Sequence, residues 1–167
     1  KPIELVMTGA YKLIVFQLYP FVLKSFFNVE PQDLNDNCYN LDQLVNNLGI
    51  DTLKQLKKTP DVEKRTEIIS NLLHSLFIGK QEELDLPIAR AIQTIIRKKG
   101  LVTISDLYTE LHFTQRTFER RFSRSVGVTA KQFSKMIQFQ RSLEQLTVKD
   151  YTKLTDIVYA NGFADQS

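Results

Sequence analysis

The sequence predicts a mainly α-helical protein. Its C-terminal part reads as an all-α domain with two helix-turn-helix units on a connecting helix. Three observations predict this. From Thr59 onward, apolar residues recur at three- and four-residue spacing between capping residues and glycines. A short helix, a tight break and a longer basic helix follow one another over 104–126. The segment 104–114 recurs, in character, at 154–164.

The composition is compatible with folded domains. Hydrophobic residues make up 43% and charged residues 25% of the 167 residues, which excludes a disordered chain. A chain of this length buries roughly 70% of its unfolded surface, enough for one good core or two small ones. The single Cys rules out a disulfide within the chain and makes a reducing, cytoplasmic setting the expectation. No apolar run approaches the roughly 18 residues of a membrane span, so no membrane partner is expected.

The elements follow in order. Tyr11–Leu18, preceded by Gly9, is apolar and β-branched enough to predict a strand, cut off by Pro20. Phe21–Phe27 predicts a short buried helix. The Asn/Asp-rich stretch 28–60 carries Leu41, Leu44, Val45, Leu48, Leu53 and Leu56, predicting two short helices around Gly49. Thr59 as N-cap and Pro60 as first residue predict a helix with a stripe of Val62, Ile68, Ile69, Leu72, Leu73, Leu76 and Phe77, closed by Gly79. The charged segment 81–86 reads as a linker between residues 1–80 and 87–167.

Beyond it, Asp85 and Pro87 open a helix with Ile88, Ala91, Ile92, Ile95 and Ile96 inward. Arg97, Lys98 and Lys99 fill its last turn, where cations favour the helix dipole, and Gly100 stops it. Thr103 caps Ile104–Leu111, with Asp106 as its capping-box partner. Thr114 caps Gln115–Val126, ended by Gly127. Thr129 caps a long helix from Ala130 to about Leu146, and Leu154–Ala160 is a last short helix before Asn161–Gly162.

The net charge of +3 conceals an uneven distribution. Residues 1–86 carry −3, residues 87–146 carry +7 and residues 147–167 carry −1. A basic block inside a nearly neutral chain points either to an anionic partner or to a solvated Lys/Arg-rich face. The helix 115–126 favours the former. Phe118 and Phe122 face the core, while Arg116, Arg120, Arg121 and Arg124 lie beside that stripe with only Glu119 interrupting the positive run. Such a helix suits the major groove of double-stranded DNA, where Arg reads guanine bidentately or holds phosphates.

The repeat strengthens this reading. Ile104/Leu154, Leu107/Ile157 and Phe113/Phe163 match in character at an offset of fifty, and Asp106/Asp156 are identical. A second recognition helix is therefore expected to begin near Asp165, and two such units would suit groove segments about one helical turn, ~34 Å, apart.

The segments TQRTFERRFSRSVGVTAKQF, IQFQRSLEQL and LTDIVYANGFADQS resemble the AraC/XylS family of bacterial transcription regulators. The resemblance covers about residues 87–167. It implies a DNA-binding domain of seven helices, with two homeodomain-like units on a connecting helix. On that resemblance positions 115, 116, 119 and 120 lie on the exposed face of the first recognition helix, and Gln166 and Ser167 open the second. Arg116 and Arg120 are the expected base-edge contacts, assisted by Gln115, Thr117 and Glu119, with Gln166 and Ser167 the base-edge residues of the second helix. Thr114, Arg121, Arg124, Lys131 and Lys135 are expected on phosphates. Departures from the family pattern are Tyr108 and Val158 where a small residue is usual, Ala130 where Pro is frequent, and His112 in place of a turn Gly. His112 must then adopt the left-handed conformation at some cost. The family domain also continues past the second unit, so the sequence reads as part of a longer chain. Residues 1–80 resemble the helical end of an α+β sensor domain of the same family, the strand being the last of a small β-barrel-like or cupin-like domain. This implies a small-molecule effector, a homodimer through the helix at 60–78, and RNA polymerase as further partners.

Other chemistry is not supported. His74 and His112 have no ligand-spaced Cys or carboxylate, so no metal site is expected, and His74 reads as structural. Cys38 has no catalytic surroundings, and the Asp/Asn pairs at 33–37 lack the Gly and terminal Glu of a calcium loop. No phosphate loop, nucleophile elbow or H-E-x-x-H occurs, so neither an enzyme nor a cofactor is expected. The alternative to DNA binding is a helical interaction domain that meets protein or RNA through its basic face.

Overall fold

A computed structural model describes residues 8–34, 50–149 and 153–163. Among these residues the protein is helical and contains no strand. The chain divides into two compact units, Lys1–Leu84 and Asp85–Ser167, and the division falls inside the segment 81–86.

In the first unit, α1 is Val22–Phe27, α2 is Ile50–Lys58 and α3 is Val62–Lys80, with short 3-10 turns at Pro31–Leu34 and Gln81–Glu83. α3 packs on both α1 and α2. The small core joins Val22 and Phe26 of α1 to Leu76 of α3, with Leu18, Phe21, Phe27, Leu72, Leu73 and Leu84 packed around it.

Four expectations are corrected here. Tyr11–Leu18 is extended but not a strand. Ile14, Phe16 and Leu18 are half-buried and alternate with exposed Leu13, Val15 and Gln17, so the period-two pattern is real. A strand also needs a ladder partner, and none exists among the described residues. The start of α3 is set by Asp61, whose carboxylate accepts from the Lys64 N–H at 2.8 Å. Thr59 instead closes α2, its hydroxyl donating to the Gln55 carbonyl. Gly79 lies inside α3, which runs one residue further, to Lys80. His74 is exposed on α3 rather than packed beside its stripe. Of the two helices expected around Gly49, only α2 falls within the described residues; Leu41, Leu44, Val45, Leu48 and Cys38 lie outside them.

The second unit holds α4 (Leu86–Arg97), α5 (Ile104–Glu110), α6 (Gln115–Val126), α7 (Ala130–Val148) and α8 (Leu154–Ala160). Asp85 caps α4, its Oδ1 accepting from the Ile88 N–H, so Asp85 belongs to this unit rather than to a linker. Ile88, Ile92 and Ile95 recur at four and three residues and are fully buried. α4 packs on α6 and α7. Its end closes through left-handed Lys99 and Gly100, and only glycine fits the latter position: a Cβ would strike the Ser134 carbonyl and come within 2.7 Å of Gln138 Cγ. Gln138 Nε2 donates back to the Gly100 carbonyl at 3.1 Å, which fastens the end of α4 to the middle of α7.

α5, α6 and α7 are threaded by a chain of rings. Tyr108 meets Phe118 at 6.2 Å, Phe118 meets Phe122 at 5.6 Å, and Phe122 meets Phe133 at 5.9 Å. Phe118 and Phe122 are wholly excluded from solvent. Burying each stabilises the unit by about 1.5–3 kcal/mol before the ring pairing is counted. α6 keeps its expected bounds, Thr114 Oγ1 accepting from the Thr117 N–H and Gly127 closing at φ +85. Thr129 forms a capping box with Gln132 at the head of α7, which runs two residues past Leu146. The capping box expected at Thr103 does not form. There the backbone closes the turn, the Thr103 carbonyl accepting from the N–H groups of Asp106 and Leu107.

The sequence repeat is also a repeat of backbone hydrogen bonds. Leu111, His112 and Phe113 donate to the carbonyls of Leu107, Thr109 and Tyr108; fifty residues on, Asn161, Gly162 and Phe163 donate to those of Ile157, Tyr159 and Val158. Both are Schellman turns with a left-handed residue at the same place, His112 at φ +53 and Gly162 at φ +72. The strain expected at His112 is therefore present.

Candidate nucleic-acid interface

α6 sorts its side chains by angle. At 100° per residue, Arg116, Arg120 and Arg124 occupy an arc of about 80°, and Phe118, Phe122 and Val126 occupy a similar arc on the opposite side. The apolar arc is buried and the three arginines are exposed. None of the three has a hydrogen bond or ion pair among the described residues. Lys131 and Lys135 near the start of α7 are likewise exposed and unpaired among the described residues. Gln115 is exposed in the first turn of α6.

Other expected contact residues are engaged within the protein. Thr114 accepts from the Thr117 N–H at 3.2 Å and donates to the Thr117 hydroxyl at 3.0 Å, so both residues serve first to close the head of α6. Glu119 is half-buried between the two arcs, and its Oε2 is buried without a hydrogen-bond partner among the described residues. Gln166 and Ser167 lie outside the described residues.

Arg121, expected on a phosphate, is half-buried and its guanidinium is engaged within the protein. Nε donates to Asp85 Oδ2 and Nη2 to Asp85 Oδ1, each at 2.7 Å, a bidentate pair. The same guanidinium lies 4.5 Å from the centre of the Phe113 ring. The hydrogen bonds to Asp85 push the Arg121 pKa above the ordinary arginine value; burial opposes the rise and the Asp85 charge adds to it. The wheel holds the reason. Arg121 falls about 140° from Arg116 and only about 60° from Phe118, at the border of the apolar arc, where a long side chain packs rather than reaches out. That angle was available in the sequence; its partner, thirty-six residues earlier, was not.

The second repeat is held differently. Asn161 is 3% exposed, and its Nδ2 donates to Gln145 Oε1 at 2.6 Å and to the Ile157 carbonyl at 2.8 Å. Gly162 approaches Leu101 and Gln138 so closely that a Cβ would lie 2.9 Å from Leu101 Cδ2. Beside this turn an open apolar groove of about 330 Å³ runs between α7 and α8, lined by Phe139, Leu146, Leu154, Val158 and Phe163. In the first repeat the equivalent positions Tyr108 and Phe113 are covered from α6, by Phe118 and Arg121.

Among the described residues there is no group of His, Cys, Asp and Glu able to hold a metal ion, and no helix long and apolar enough to cross a membrane. Set against protein-family models, curated proteins and solved structures, the chain matches none of them.

Proposed function

We propose that the chain is a sequence-specific, double-stranded DNA-binding regulator of transcription, with α6 as the recognition helix of its first helix-turn-helix unit. One observation carries the reading: an exposed arc of three arginines, unpaired among the described residues, on a helix whose opposite face is locked by Phe118 and Phe122. Free guanidiniums on a rigid helix are what groove reading needs, because the charge is neither neutralised by a neighbour nor costly to reorient. The repeated turn supports a second unit after α7, in which Gln166 and Ser167 would open the second recognition helix. The N-terminal unit would supply the effector response and self-association, and RNA polymerase is the partner through which such a regulator acts.

Duplexes selected from a random library by the full chain give the test, read by fluorescence anisotropy. Arg116→Ala or Arg120→Ala should cost about 1–3 kcal/mol on the selected site and relax base preference there. Arg124→Ala should weaken binding to all sequences and reduce the slope of log affinity against log salt by about one. Recovery of no preferred duplex, or equal binding to RNA, would overturn the proposal.

A further inference from the structure

The Asp85 carboxylate joins two elements that are far apart in sequence. Oδ1 accepts from the Ile88 N–H at the head of α4, and both oxygens hold Arg121 in the second turn of α6. Arg121 in turn lies over Phe113, the last residue of the turn that feeds α6. One guanidinium thus ties the helix that carries the exposed arginines to the turn before it and to the start of α4. The bidentate geometry matters. Two parallel N–H···O bonds fix the plane of the guanidinium as well as its distance, which resists rotation of α6 about its own axis. Rotation is what groove reading cannot tolerate, since a few tens of degrees would carry Arg116 and Arg120 off the base edges. Asp85 is also the first residue of the second unit, one peptide bond from Leu84.

We infer that Arg121 is a positioning residue for α6, and that the Asp85–Arg121–Phe113 latch sets the rotation at which the exposed arginines meet DNA. This rests on the DNA-binding reading for its consequence, but the latch itself is testable without DNA.

Two variants open it by different routes. Arg121→Gln removes the guanidinium. Asp85→Asn removes the charge yet keeps an oxygen to accept from the Ile88 N–H, so α4 retains its cap and the fold is preserved if Arg121→Gln proves unstable. In the free full-length chain, amide exchange over residues 113–121 should quicken in both variants, and the double variant should be no faster than either single one. With selected duplexes, the ratio of specific to non-specific affinity should fall roughly tenfold in each variant, again without additivity. The salt slope should stay at the wild-type value, because no phosphate contact is lost. A fall in slope of about one for Arg121→Gln, with wild-type behaviour in Asp85→Asn, would make Arg121 a phosphate ligand and overturn the inference. So would unchanged exchange in both variants. If the wild-type chain selects no duplex, the DNA-binding reading fails, and the exchange measurements alone decide for or against the latch.

Discussion

His112 sits in the left-handed region at φ +53, the place that Gly162 fills at φ +72 in the second repeat. A β-carbon there costs about 1–2 kcal/mol, partly offset because glycine gives the unfolded chain more freedom to lose. His112→Gly should therefore stabilise the second unit by a few tenths to about 1 kcal/mol in urea unfolding. Gly162→Ala should destabilise it by more than that, since the added methyl also lies 2.9 Å from Leu101 Cδ2. Stabilisation by the second change, or loss by the first, would show that the two turns are not equivalent. At this scale the sequence was informative where a residue's role is local. The cap at Thr114 could be read from neighbours within a few positions, and the strain at His112 from the glycine usual at that place in the family pattern. Arg121 could not, because a partner thirty-six residues away has no local signal. Its sign suggested a phosphate, and its geometry gave it Asp85.

Among the elements, α6 is the one most completely legible, because Thr114, the stripe of Phe118, Phe122 and Val126, and Gly127 agree on its limits. Thr114→Ala should remove the acceptor for the Thr117 N–H and cost about 1 kcal/mol, while Thr114→Ser should cost little. Urea unfolding checks both, and equal losses in the two variants would mean that the hydroxyl does not act as the cap. The head of α3 was harder to read: Thr59 and Pro60 gave the expected start, but Thr59 is taken by the helix before it and Asp61 makes the cap. Tyr11–Leu18 shows the limit of periodicity. Its alternation records which side chains are covered, but a strand is defined by its hydrogen-bonded neighbour.

Over the whole molecule, the separation of charge was legible and its use was not. The block 87–146 at +7 contains Arg121, Arg97 and Arg141 as well as the exposed arc of α6. Of these, Arg121 is neutralised by Asp85, which lies outside the block, whereas the Arg141–Glu144 pair is already counted within the +7. The surface available to an anion is therefore narrower than the count suggests. On the DNA-binding proposal, a salt slope set by Arg116, Arg120, Arg124, Lys131 and Lys135 should be steeper than one or two, yet well short of seven. A slope near seven would mean that the internal pairs open on binding.

The double fastening of α7 has a mechanical consequence. Gln138 holds the end of α4 and abuts the turn of α8 at Gly162, while Gln145 grips Asn161 seven residues later. A straight helix gripped at both positions works as an indexing shaft, in which each residue is a step of about 100° and 1.5 Å. One alanine inserted after Gln140 would leave α6 and its core undisturbed. It would swing everything beyond Gln145 by more than a quarter of a revolution. Such a variant should keep the contacts of the first repeat while losing phase with any second half-site, so that binding no longer depends on the spacing between two half-sites. The distance between the two repeats is thus written in the residue count of one helix.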